Sequence, residues 1–173
     1  MKIKLLAVAL LATINLYAIN INEKPKEVTI SGENGSLVKD GKAWNSNMLK
    51  DKVYVMFYVD PDKKDVNDEF SQALKAKEYR KRGAFGSMAI INMAATWKPD
   101  FAINIILKGK QKEFPKTIYV KDKNKVLVKE WGLKDDASNI LVFSKDGTLL
   151  FYKSGKMSEK DTQKAFDIIE ANL

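Results

Sequence analysis

Seven apolar residues, Val53-Tyr54-Val55-Met56-Phe57-Tyr58-Val59, run without a polar interruption between Lys52 and Asp60. An unbroken run of this length bounded by charge predicts a strand buried on both faces, as in the middle of a sheet covered by helices. Asp60-Pro61-Asp62 stops it. Val66, Phe70 and Leu74, with Ala73 and Ala76, then recur at three- and four-residue intervals and predict a helix over residues 62–79. Residues 87–95, with Met88, Ile90, Ile91 and Met93, read as the next buried strand. Phe101, Ile105, Ile106 and Leu107 supply a second helix that begins near Pro99-Asp100, where a proline is tolerated because the first helical N–H has no partner anyway.

Shorter signals fill in the flanks. Residues 27–30 are a short strand, Gly32-Glu33-Asn34-Gly35 is a turn cluster, and Asn45 or Ser46 can cap a single helical turn reaching Leu49. Residues 117–120 and 139–143 are strand-like, and Lys145-Asp146-Gly147 turns the latter into a partner over 148–152, a hairpin signal. Ser158-Glu159-Lys160-Asp161 has capping-box spacing and opens a last helix carrying Phe166, Ile168, Ile169 and Leu173. The order β, α, β, α, β, β, β, α is thioredoxin-like. It predicts an α/β fold in which a central mixed sheet, parallel at its middle and closed by the antiparallel hairpin, is flanked by helices.

The N-terminus follows a different pattern. Lys2 and Lys4 precede an uninterrupted apolar stretch over residues 5–12, which tapers to Leu16-Tyr17-Ala18. Positive charge, a short apolar run and a small residue at the end describe a secretory signal peptide. The run is shorter than the roughly 20 residues a membrane span needs. Cleavage is expected after Ala18, which leaves residues 19–173 as one periplasmic domain with no stable membrane span.

Composition narrows the chemistry. The 173 residues contain no Cys and no His. This excludes a CxxC redox centre, a disulfide, a thiolate nucleophile, a Cys/His zinc site, a lipid anchor on cysteine and any histidine-based triad. A hydrophobic fraction of 45% with 30% charged residues is globular rather than disordered. The net charge of +8 comes almost wholly from lysine, since Arg80 and Arg82 are the only arginines. Lysine is a hydrated point charge without arginine's bidentate fork. The charge therefore reads mainly as solubility and weak attraction to anionic surfaces, and no nucleic-acid partner is expected.

Asp60, Asp62, Asp65, Asp68 and Glu69 gather at the C-terminal end of the central strand, where open α/β sheets place ligand sites. As an EF-hand loop the segment fails, because Lys64 and Asp65 stand where an oxygen ligand and glycine are required. Carboxylates at a helix N-terminus are also favoured by its dipole, and no metal or other cofactor is expected. An apolar strand ending in Asp-x-Asp also resembles the first motif of haloacid-dehalogenase-type phosphatases, and that resemblance implies an alternative, a Mg-dependent phosphatase with Asp60 as nucleophile, Asp62 as acid/base and Asp135-Asp136 as metal ligands. Lys64 departs from that motif. Lys75, Lys77, Arg80, Lys81 and Arg82 read as a solvated helix end, and Trp44, Trp97 and Trp131 as packing residues.

Several segments in order carry a resemblance: Trp44-Asn45-Ser46 with Leu49 and Lys52-Val53; Asp60-Pro61-Asp62-Lys63-Lys64; Glu130-Trp131-Gly132-Leu133; Ser138, Ile140 and Val142; and Lys145-Asp146-Gly147 before the final helix. In these the chain resembles the YtfJ family, exported thioredoxin-like proteins of Gram-negative bacteria with no assigned activity. The resemblance implies a thioredoxin fold without redox chemistry and supplies no catalytic residues. Ala137-Ser138 stands where thioredoxins present a cis-proline to extended peptide. A transcriptional-regulator role attached to some members is at odds with export. The combined expectation is a binding or adaptor domain for a periplasmic protein, peptide or small anionic ligand, with Asp60, Asp62, Asp65 and Ser138 as the ligand-binding residues.

Overall fold

The computed structural model describes residues 18–173, so the expected signal peptide, except for its last residue Ala18, lies outside the described residues. In chain order the elements are β1 (Thr29–Ile30), β2 (Gly35–Leu37), β3 (Trp44–Asn45), β4 (Val53–Val59), α1 (Asp68–Ala76), β5 (Phe85–Asn92), α2 (Asp100–Glu113), β6 (Ile118–Asp122), α3 (Val126–Trp131), β7 (Ser138–Phe143), β8 (Leu149–Ser154) and α4 (Glu159–Asn172). Six strands form one sheet in the order β2-β6-β5-β4-β7-β8. Strands β4, β5 and β6 are parallel, while β7, β8 and β2 join antiparallel. The mixed sheet with the closing hairpin is the arrangement that the element order predicts.

The apolar run of β4 is central because both of its faces are used. Tyr54, Met56 and Tyr58 point to one side, into a cluster with Trp44, Leu127, Trp131, Leu141 and Phe143. Val53 and Val55 point to the other, under Phe70 and Leu74 of α1 and Phe166 and Ile169 of α4. Each large side chain removed from water in this way contributes about 1.5–3 kcal/mol. Trp44 and Trp131 meet edge to face with ring centroids 6.3 Å apart, and the Trp131 indole N–H donates to the Lys26 carbonyl at 2.8 Å.

Local boundaries differ from the sequence expectations for identifiable reasons. The helix expected over 62–79 contracts to α1, with a 3-10 turn on either side, Pro61–Lys63 and Tyr79–Arg82. Strand β5 begins at Phe85 and ends at Asn92, because Met93–Ala95 closes into a 3-10 turn. Asn45 caps a turn over Ser46–Met48, as its side chain allows. Helix α3 has no counterpart in the apolar pattern. It is started from inside the sheet: the buried Asp122 carboxylate accepts the N–H groups of Val126 at 2.9 Å and Leu127 at 3.1 Å, and the Tyr58 hydroxyl at 3.0 Å. Arg80 is not part of a solvated helix end, since its guanidinium donates to Thr117 Oγ1 at 2.6 Å and to Ser87 Oγ. Gly35, at φ +131, permits β2 to pair with β6, since a Cβ there would collide with the Lys121 carbonyl.

Candidate functional site

The parallel strands β4 and β5 end side by side, with Val59 opposite Ile91, and β7 begins with Ser138 opposite Val59. Their continuations bring three loops together at this edge: residues 60–65, 93–99 and 134–137. The Asp60 N–H donates to the Ala137 carbonyl at 3.1 Å, which ties the first loop to the third.

Asp60 is 1% exposed. Its Oδ1 accepts the Asp62 N–H at 2.8 Å and so caps the turn that follows β4. Its Oδ2 is buried without a hydrogen-bond partner among the described residues. Burial pushes the Asp60 carboxyl above the usual carboxylate range against the opposing Asp62 N–H, and the neighbouring Asp136 carboxyl raises it further. Asp62 lies two residues on and is the reverse case. Lys98 donates to it, Thr96 Oγ1 donates at 2.5 Å, and these bonds hold its pKa below the ordinary value.

The other two expected residues stand apart from this pair. Asp65 is exposed and bonded to its neighbour Lys64 at 2.5 Å. Ser138 is 2% exposed and accepts from Asn67 Nδ2 at 2.9 Å; Asn67 also donates to the Gly155 carbonyl and accepts the Met157 N–H. Ser138 thus fastens β7 to the start of α1 from behind the loop.

A neighbouring polar set joins Asp135, named above only as a metal ligand of the phosphatase alternative, to Asn92 and Lys125, for which the sequence carried no signal. Asn92, at the end of β5, donates to Asp135 Oδ1 at 2.9 Å, and Lys125 donates to the other Asp135 oxygen at 2.6 Å. Burial opposes ionisation of Asp135, but these two bonds outweigh it and leave its pKa lowered. The partners are separated by 43 and 10 positions, and only the fold joins them.

Chemically the edge is a set of satisfied or enclosed carboxylates. Asp60 is turned inward and used as a cap, so it does not present a nucleophilic oxygen, and Asp62 is engaged by a cation and a hydroxyl. Among the described residues no group of three or more His, Cys, Asp or Glu is placed to hold a metal ion.

What the edge does present is Trp97, which is 87% exposed. It stands between Thr96 and Lys98, the two residues that bind Asp62. This corrects the expectation that all three tryptophans pack inside: Trp44 and Trp131 do, and Trp97 does not. The helix that follows repeats the pattern. Helix α2 turns Ile103 and Leu107 inward, beside Met93, and leaves Phe101 and Ile105 each 68% exposed. Residues 101 and 105, like 103 and 107, are one helical turn apart, so periodicity alone cannot say which pair meets the sheet.

A family model described as bacterial protein of unknown function (YtfJ_HI0045) matches residues 14–172. The uncharacterised protein YtfJ of Escherichia coli strain K12 is 25% identical over 149 residues, covering 82% of this chain and 80% of that one. An uncharacterised protein of Haemophilus influenzae is 28% identical over 162 residues, covering 88% and 86%. Among solved structures, a candidate protein disulfide isomerase from Bacteroides thetaiotaomicron superposes with a TM-score of 0.65 at 15% identity, over 91% of this chain and 92% of that one. A candidate thioredoxin from Neisseria meningitidis gives 0.59 at 16%, over 87% and 92%. The fold is thioredoxin-like.

Proposed function

This chain belongs to the YtfJ family of bacterial proteins of unknown function, and from that premise we propose that it is an exported, non-redox thioredoxin-like domain that works by binding. Its working surface is the edge formed by the loops after β4 and β5. The observation that carries this reading is Trp97, a large aromatic side chain held in solvent on a segment pinned through Thr96 and Lys98 to Asp62. An exposed aromatic anchor on a pre-ordered loop loses little entropy when it is covered, which suits recognition. The ligand is a periplasmic protein, a peptide or a small anionic group, and Asp60 and Asp62 shape the loop rather than react. Without cysteine the domain carries no thiol exchange.

Export is supported by the leader pattern of residues 1–18. The Ile19 N–H donates to the Trp131 carbonyl at 3.1 Å, so a chain starting at that residue keeps this contact with the core.

Both halves are tested on the full-length gene product. Osmotic-shock extraction followed by intact-mass measurement is expected to find protein starting at Ile19 in the periplasmic fraction; full-length chain confined to the cytoplasm overturns export. Titration of that protein with extended peptides, phosphorylated compounds, anionic polymers, anionic vesicles and Mg salts, followed by tryptophan emission, is expected to move the Trp97 signal without any Mg dependence. A Mg-dependent phosphatase activity lost in Asp60→Asn, or no ligand response across the panel, overturns the binding reading.

A further inference from the structure

Trp97 stands on the loop just before α2, and the helix carries an exposed stripe of its own. Ile105 follows Phe101 by four residues, and the exposed Lys108 and Lys112 follow it by seven and eleven. Spacings of four, seven and eleven lie on one side of a helix. Ile106, 57% exposed, flanks the stripe, while Ile103 and Leu107 on the far side hold the helix to the sheet. The outer face of α2 is therefore apolar and aromatic toward its N-terminal end and cationic toward its C-terminal end.

The acids around this ridge are already neutralised. Asp100 pairs with Lys123 at 2.9 Å, Glu113 with Lys110 at 3.0 Å, and Asp62 with Lys98. Lys108 and Lys112 have no ion-pair partner among the described residues. We propose that this ridge docks on a membrane surface bearing anionic lipid headgroups. Trp97, Phe101 and Ile105 enter the boundary between headgroups and acyl chains, and Lys108 and Lys112 meet the phosphates. The inference rests on the reading of the Trp97 surface as the binding surface and takes the small anionic group that it binds to be a lipid headgroup.

Two features select a membrane over other cover. The ridge consists of Trp97 on the preceding loop and side chains standing off one exposed face of α2, a shape that enters a soft interface, and tryptophan is the side chain best matched to that depth because its ring is apolar and its N–H stays wet. A second copy fits poorly. In parallel pairing of two such stripes the lysines face lysines; in antiparallel pairing they lie against Trp97 and Phe101. Either arrangement leaves Lys108 and Lys112 without an anion, whereas an acidic lipid surface neutralises both.

Trp97 provides its own probe, because Trp44 and Trp131 are already shielded at 0% and 1% exposure. The protein recovered from the periplasm, its N-terminus located by intact mass, is mixed with vesicles of phosphatidylcholine alone or with phosphatidylglycerol. Expected are a blue shift of emission and co-sedimentation with the anionic vesicles only, both weakening as salt is added. Phe101→Ser with Ile105→Ser removes binding, and Lys108→Glu with Lys112→Glu lowers the partition coefficient at least about tenfold. Circular dichroism and melting temperature stay unchanged for both variants. Equal binding to neutral vesicles, or binding that survives these substitutions, overturns the proposal. A Trp97 shift with an acidic polypeptide, or with self-association in sedimentation, but none with vesicles removes the lipid and leaves the binding surface standing. No Trp97 response to any of these removes both.

Discussion

Helices α2 and α4 have the same length, fourteen residues, yet they meet the sheet in different ways. Helix α4 opens with a capping box, in which Ser158 Oγ accepts the Asp161 N–H and the Asp161 carboxylate accepts the Ser158 N–H, both at 3.1 Å. It then buries Ala165, Phe166 and Ile169 beneath the centre of the sheet, with Phe166 stacked on Phe70 at 5.6 Å. Helix α2 starts from Pro99 with no side-chain cap, buries Ile103 and Leu107 near the β5–β6 side, and leaves its remaining large apolar residues in water. Apolar content was thus spent on the core in one helix and divided between core and surface in the other. A soluble fold keeps such a ridge when something covers it, which is why α2 and not α4 points to function.

The largest test of that contrast is a pair of truncations. Phe166→Ala is expected to lower unfolding free energy by about 3–5 kcal/mol in urea titration, because it opens a cavity under the sheet. Phe101→Ala on α2 should stay within about 0.5 kcal/mol of the parent. Similar losses from both would mean that α2 packs as α4 does.

Removing a cap comes next. Ser158→Ala is expected to cost about 1 kcal/mol. It should also change the acid limb of the stability curve. Asp161, held down to about 2 chiefly by Ser158 and then by Lys153, contributes stability that is full above the ordinary carboxylate pKa and is lost as pH falls through its folded value. The difference between parent and Ser158→Ala should therefore narrow in acid.

The loop between β4 and α1 should respond with the opposite sign. Asp60 has a raised folded pKa, so the folded state holds its proton more tightly than the unfolded chain does. Its contribution is most favourable below the ordinary carboxylate pKa of about 3.9 and declines as pH rises through the folded value. Asp60→Asn keeps the capping oxygen without the buried charge. Its melting temperature should exceed that of the parent at pH 7, and the two should converge in acid; a variant less stable at pH 7 would show that the ionised carboxylate is needed.

The smallest effect on stability is expected from Asp62→Asn, which weakens exposed bonds to Thr96 and Lys98. Its consequence is local. Time-resolved fluorescence anisotropy should show faster motion of Trp97, with Trp44 and Trp131 unchanged, and unaltered Trp97 motion would detach that residue from the Asp62 anchor.

Legibility followed the range of the interaction. The β4 run, the Lys145-Asp146-Gly147 hairpin turn and the Ser158 capping box are complete within a few residues, and each is found in the structure. Helix α3 leaves no local signal because the carboxylate that caps it, Asp122, belongs to the preceding strand and is itself held by Tyr58, 64 positions away. At the candidate site the sequence identified the acidic loop and its place at the end of β4. It did not reveal that Asp60 turns inward, that Ser138 is occupied by Asn67, or that Asn92, Lys125 and Asp135 form a neighbouring network.

By itself, then, the sequence determined the central strands β4 to β8, the helices α1, α2 and α4, the thioredoxin-like order, and the absence of thiol and imidazole chemistry, because these depend on residue identity and on periodicities of two and 3.6, whereas β2, β3 and α3 are too short to show a period. Tertiary structure decided which of two apolar faces of α2 was buried and where each carboxylate of the edge points. A helix carrying apolar residues on two sides satisfies its local preferences in either rotation, and only the space left beside β5 and β6 chose Ile103 and Leu107 for the core and left Phe101 and Ile105 outside.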